Sequence, residues 1–135
     1  MSFILGTNVR IRLLNDRDSP VARRLASVPR NEVVLCSISK AELYYGAYRS
    51  KRREANLALL RRFLKEFATL AFDEKCEEVY GVIRAQLAVA GTPVGPNDLL
   101  IAAIALANEA TLVTHNTAEF GHGSGLRIED WESTS

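Results

Sequence analysis

Cysteine is scarce in this chain, and long apolar runs are missing. Only Cys36 and Cys76 occur in 135 residues, far apart and outside any CxxC pair. That excludes a disulfide framework and a cysteine zinc site, and the two read as buried thiols in a reducing compartment. No apolar stretch reaches the roughly 18 residues of a membrane span. No basic segment leads into a long apolar one near the start, so the expectation is a cytoplasmic protein without a signal peptide. There is no Gly-rich phosphate loop and no Ser-His-Asp set. Histidine is limited to His115 and His122, whose pairing is a weak ligand signal.

What is present is the composition of a globular domain, 47% hydrophobic and 24% charged. The length suits one domain, 1–135, with a real core. The net charge of +1 hides an asymmetry: residues 1–65 hold 14 Lys and Arg against 5 Asp and Glu, and the rest hold 3 against 11. Solvated helix faces that pair between the halves account for this. So does a basic surface that attracts a polyanion beside an acidic cluster. Charge alone leaves both open.

The apolar pattern predicts strands alternating with helices. Phe3–Leu5 is a short strand, and Thr7 or Asn8 can cap a helix to about Asn15, broken by the polar run ending at Pro20. A short helix follows over Pro20–Ala26, with proline at its start. Val33–Cys36 is a continuous apolar run, as in a strand buried on both faces. Ser39 opens a helix to about Tyr48, and Leu57, Leu60, Phe63 and Leu64 form a helical stripe within Lys51–Phe67. Thr69–Phe72 is a strand, and Glu74–Ala90 a long helix ended by Gly91. After a Pro/Gly loop, Asp98–Asn108 is a strongly apolar helix, with strands at Thr111–Thr114 and Leu126–Ile128. The expected class is α/β with a mainly parallel sheet, whose chemistry gathers beyond the carboxyl ends of the strands.

Three acids are the candidate chemistry. Glu42 has a structural alternative, since Ser39-Lys40-Ala41-Glu42 fits a capping box. Asp98 has one too: Asn97 can cap its helix, and an acid in the first turn suits the helix dipole. Glu119 lies in a loop after a strand, where an acid is usually plain surface. Together, acids converging from separate strand ends can hold Mg²⁺ or Mn²⁺, which prefer carboxylate and water oxygens. Such ions activate water against a phosphodiester.

Four stretches in order, FILGTNV, SISKAELYYGA, GTPVGPNDLLIAAIALA and LVTHNTAEFGHGSGLRIEDW, resemble VapC-type toxins of the PIN-domain ribonuclease family over almost the whole chain. The resemblance implies a three-layer α/β/α domain, Mg²⁺- or Mn²⁺-dependent endoribonuclease activity on tRNA or rRNA, a homodimer and a cognate antitoxin. It implies catalytic roles for Glu42, Asp98 and Glu119, and metal binding by Glu42 and Asp98; the family's last acidic position falls on Asn116 or Glu119, with Glu119 favoured as the acid. Thr7, Asn8 and Asn116 are supporting residues. The family's first acid falls on Gly6, in a motif that usually reads Asp-Thr-Asn. The chain therefore lacks one ligand and is expected to be inactive or impaired. The alternative is a non-catalytic PIN-like module that binds its antitoxin or RNA. Tyr44, Tyr45, Tyr48, Arg52 and Arg53 are the expected substrate or partner surface, and an antitoxin helix is expected to cover Tyr44–Tyr48 and Leu57–Phe63.

Overall fold

Five parallel strands form one sheet in the order β3-β2-β1-β4-β5. They are β1 (Phe3–Leu5), β2 (Val33–Cys36), β3 (Ala68–Leu70), β4 (Thr111–Val113) and β5 (Ile128–Glu129). The helices are α1 (Pro20–Ser27), α2 (Ser37–Arg49), α3 (Arg53–Leu64), α4 (Glu74–Ala90) and α5 (Pro96–Ala107). The protein is seen here as a computed structural model that describes residues 2–6, 18–91, 94–114 and 125–132. The helix expected from Thr7 or Asn8 to Asn15 lies outside those residues. So do the candidates Thr7, Asn8, Asn116 and Glu119.

β1 and β2 are apolar at every position, and β4 at all but its first residue, Thr111, because both faces are covered. Phe3 and Leu5 of β1, Val33 and Leu35 of β2, and Val113 of β4 point into one core with Leu25, Leu43, Leu57 and Leu60. Ile4, Val34, Cys36 and Leu112 point into a second core, formed with Cys76 and Ile83 of α4 and the apolar length of α5. The period-2 alternation of strand side chains thus splits the described helices, three onto one face and two onto the other, the expected three-layer α/β/α arrangement.

Local signals set most element ends. Ser19 caps α1, its hydroxyl accepting from the Ala22 amide at 3.2 Å, with Pro20 in the first turn. Asp73 caps α4 by accepting from the Cys76 amide at 3.2 Å, and Gly91 ends it at φ 70°. That left-handed conformation suits glycine, as expected. β3 is Ala68–Leu70 rather than Thr69–Phe72 and is the exposed edge strand. β5 is Ile128–Glu129 rather than Leu126–Ile128.

Candidate active site

Strand order places the site. The chain runs outward from β1 through β2 to β3, then returns to set β4 on the other side of β1. Such reversals open a crevice at the carboxyl ends of the two strands. Gly6 follows β1 and Thr114 follows β4. The Gly6 amide donates to the Val113 carbonyl at 2.8 Å, which draws the two strand ends together. A β-carbon on Gly6 would lie 2.9 Å from that carbonyl oxygen and 3.6 Å from Cβ of Thr114. Glycine at this point permits an approach that no other residue makes without a shift of β4. Thr114 itself is buried. It is a polar residue that directly follows β4, beside Gly6.

The structure corrects the cap read at Glu42. β2 runs into α2 without a loop, so Cys36, the last strand residue, is the N-cap and Ser37 the first helical residue. Ser39 is the third residue of the helix rather than its cap. It is fully buried, its hydroxyl 3.1 Å from the Cys36 sulfur. The capping box therefore does not form. Glu42 sits half-buried in the second turn.

The cap read at Asp98 is corrected too. Gly95 is the N-cap of α5, Pro96 its first residue, and Asn97 its second. Asp98 falls in the first turn, where a carboxylate complements the helix dipole. It is half-buried, and its Oδ2 lies 3.6 Å from where a β-carbon of Gly95 would stand.

Glu42 and Asp98 belong to helices from opposite layers, yet α2 and α5 touch. The sheet separates the layers except at its rim. α2 starts at the carboxyl end of β2, and Ile38 in its first turn packs into the core of the α4–α5 face, while Leu43 and Ala47 pack into the other. The start of α2 therefore straddles the carboxyl edge. α5 ends just before β4 and is about 18 Å long at 1.5 Å per residue, so its N-terminus reaches back toward the same edge. Topology thus gathers the elements bearing Gly6, Glu42 and Asp98.

In donor type these residues fit a hard divalent cation. Among the described residues, no three His, Cys, Asp or Glu side chains gather as a metal group. The further donor read from sequence, Glu119, lies outside them.

Beyond the acids, α2 turns into α3 at a basic corner. The Arg49 guanidinium lies 5.5 Å from the Tyr45 ring centre, and its Nη1 donates to the Tyr45 hydroxyl at 3.3 Å. Arg53 Nε donates to the Tyr48 carbonyl at 2.9 Å, and Arg52 beside it is exposed. Tyr45 and Tyr48 are 64% and 49% exposed, so both are available to a partner. Tyr44 is not: it is half-buried against the core. Leu57 and Leu60 also face the core, so the stripe expected to receive a partner helix is already covered. The physical reason is that an amphipathic stripe reports a buried face without saying what buries it.

The titration shifts fall at the start of α4, just beyond the outer strand β3. Hydrogen bonding with Cys76, to its side chain first and then its backbone, holds the Asp73 carboxyl below its ordinary range. Burial pushes the Cys76 thiol up. Both cysteines are free and buried, as expected of inert structural thiols.

The PIN domain family model matches residues 3–122. The chain is 37% identical over 133 residues to Ribonuclease VapC2 of Rickettsia felis, covering 98% of this chain and 99% of that one. It is 37% identical over 131 residues to the tRNA(fMet)-specific endonuclease VapC of Shigella flexneri, covering 97% and 98%. Its fold superposes on the crystal structure of VapBC2 from Rickettsia felis bound to a promoter DNA fragment, with TM-score 0.91, 38% identity, and 97% and 99% of the two chains covered. DNA-bound VapBC from Salmonella typhimurium gives TM-score 0.91 at 37% identity, covering 97% and 98%. With its three layers, its acid-bearing carboxyl edge and this likeness along nearly its full length, the chain belongs to the PIN-domain family.

Proposed function

We propose that this chain is the endoribonuclease toxin of a type II toxin–antitoxin pair, acting as a single domain over 1–135 on tRNA or rRNA in the cytoplasm. The observation that carries the reading is the meeting of α2 and α5 at the carboxyl edge, beside the β1–β4 switch, in a chain similar throughout to VapC ribonucleases. Glu42 and Asp98, with Glu119, would hold Mg²⁺ or Mn²⁺, which supplies an acidified water and neutralises charge on the phosphodiester. Thr7, Asn8 and Asn116 orient the donors. Arg49, Arg52 and Arg53 attract the phosphate backbone, and the exposed Tyr45 and Tyr48 rings offer stacking faces.

Gly6 removes one carboxylate from this set. A hard ion demands near-ideal geometry from its ligands, so the chain as it stands is impaired. This same residue favours the second reading, a non-catalytic module that retains antitoxin or RNA binding.

The solved relatives are VapBC assemblies, and an antitoxin is the partner proposed here. A homodimer is proposed as well. Val82 and Val89 of α4 are 53% and 91% exposed and lie seven residues apart on one helix face, a patch suited to a second copy. Sedimentation equilibrium tests this: a monomer at tens of micromolar, the range of a weak dimer, counts against it.

The test of activity compares three proteins on total tRNA with Mg²⁺ or Mn²⁺: the chain itself, Gly6→Asp, and Gly6→Asp with Asp98→Asn. Cleavage is expected only from the single variant, and EDTA abolishes it. If the unaltered chain cuts as fast, the first ligand is wrongly assigned. If no folded protein cuts, the binding-module reading takes precedence.

A further inference from the structure

Among the described residues, Gly46 has no internal reason to be glycine. It lies within α2, three residues before the helix ends, and its φ is not positive. Among the described residues nothing stands within 4 Å of a β-carbon built there, and the residue is exposed. Glycine in a helix is less stable than alanine. The fold would therefore gain from a methyl group at this point. A bare backbone kept at such a cost suits close approach by something outside the chain.

Its surroundings point to what that is. Residues three and four apart on a helix share a face, so Gly46 lies between Glu42, one turn earlier, and Arg49, one turn later. Arg49 is laid over the exposed ring of Tyr45. Lys51, Arg52 and Arg53 follow, all exposed. A cationic corner with an accessible aromatic ring is the equipment of single-strand recognition, where cations follow the phosphates and rings stack the bases.

We propose that Gly46 is a positioning residue for RNA. A single-stranded segment crosses α2 at the bare turn, its phosphates held by the Arg49–Arg53 corner, and is led toward Glu42. The proposal rests on the ribonuclease reading above. A side chain at position 46 lifts the strand from the helix without touching the acids.

The experiment measures binding of a fluorescein-labelled, unstructured single-stranded oligoribonucleotide by anisotropy, alongside thermal melts. The proteins are the full chain, Gly46→Ala and Gly46→Leu. Gly46→Ala is expected to raise Tm by about 2–5 °C, from helix propensity alone. Kd is expected to rise roughly fivefold for Gly46→Ala and roughly a hundredfold for Gly46→Leu, the range produced by overpacking a close contact. A merely structural role moves Tm and Kd together, whereas this one moves them in opposite senses. Unchanged Kd in both variants overturns the proposal. If the co-expressed antitoxin then fails to co-purify, the bare turn belongs to a protein partner instead. A fall in Tm for Gly46→Ala overturns the premise that the position is open. An unaltered chain that binds no RNA overturns this proposal together with the ribonuclease reading, a pattern distinct from loss in the variants alone.

Discussion

Gly6 and Val113 hold the ends of β1 and β4 together through one 2.8 Å hydrogen bond from the Gly6 amide. The carbonyl that accepts it is also the atom that a β-carbon at position 6 would meet, at 2.9 Å. The missing carboxylate is thus tied to a closer strand end, so restoring it changes packing as well as charge.

Gly6→Asp is accordingly expected to trade stability for metal binding. Without metal, displacing the Val113 carbonyl costs about 1–3 kcal/mol, the usual range for overpacking. With Mn²⁺ added, Tm rises for the variant and much less for the unaltered chain, because a ligand that binds only the folded state stabilises it. Melts in EDTA and in Mn²⁺ check both halves. Equal Tm values in EDTA would mean that β4 yields freely.

Trp131 pins the far edge of the sheet. It is 4% exposed, its ring centre is 5.5 Å from that of Phe3, and its Nε1 donates to Glu129 Oε1 at 3.0 Å. Trp131→Ala should cost about 3–5 kcal/mol, as expected for a buried aromatic. Arg24 lies over the same ring and 3.5 Å from Glu129, but both charged side chains are well exposed. Arg24→Ala should therefore cost less than about 1 kcal/mol. Urea denaturation of the two variants measures the contrast.

Asp73 makes α4 sensitive to acid. Its carboxyl is held low in the folded state by hydrogen bonding with Cys76. The folded protein therefore binds fewer protons than the unfolded chain in this range, and stability rises with pH. The contribution is complete above the ordinary carboxylate value of about 4 and fades as pH falls through the lower folded value. Asp73→Ala should lower Tm at pH 7, and its difference from the unaltered chain should shrink below pH 4. A difference that persists in acid would assign the effect to packing.

Tyr48→Asp is expected to weaken the antitoxin complex by about tenfold or more, the scale of losing an exposed aromatic anchor. It should leave the fold intact, since the ring is 49% exposed and only the backbone carbonyl of Tyr48 is used by Arg53. Titration calorimetry on the purified partners, with a melt of the variant, checks it.

Elements governed by neighbouring residues were legible in the sequence. Gly91 ends α4 as its chemistry suggests, and the apolar run Val33–Cys36 is a strand covered on both faces. Near Glu42 and Asp98 the helix caps lie earlier than the local pattern suggests, at Cys36 rather than Ser39 and at Gly95 rather than Asn97. At α2 the polar pattern Ser39–Glu42 imitates a cap, but the chain enters the helix straight from a strand, and burial of Ser39 beside Cys36 overrides the local preference. At α5, Gly95 serves as the cap and Pro96 as the first residue, ahead of the more usual Asn97. Tyr44 and Tyr45 are alike in sequence, yet the first is packed and the second exposed, because residues one apart on a helix face different ways, and Tyr48, one turn beyond Tyr44, is exposed at the last turn of the helix.

The sequence by itself determined the alternation of strands and helices, the two-sided burial of the sheet and the residue types available for chemistry. These depend on periodicity and on contacts within a turn or two. Only the tertiary structure decided that β4 lies beside β1, that α2 and α5 meet across the carboxyl edge, and that Gly6 lies within hydrogen-bond reach of Val113. Those relations join residues about a hundred positions apart, or helices from opposite layers. They arise from strand register and from the order in which strands join the sheet, and no local pattern encodes either.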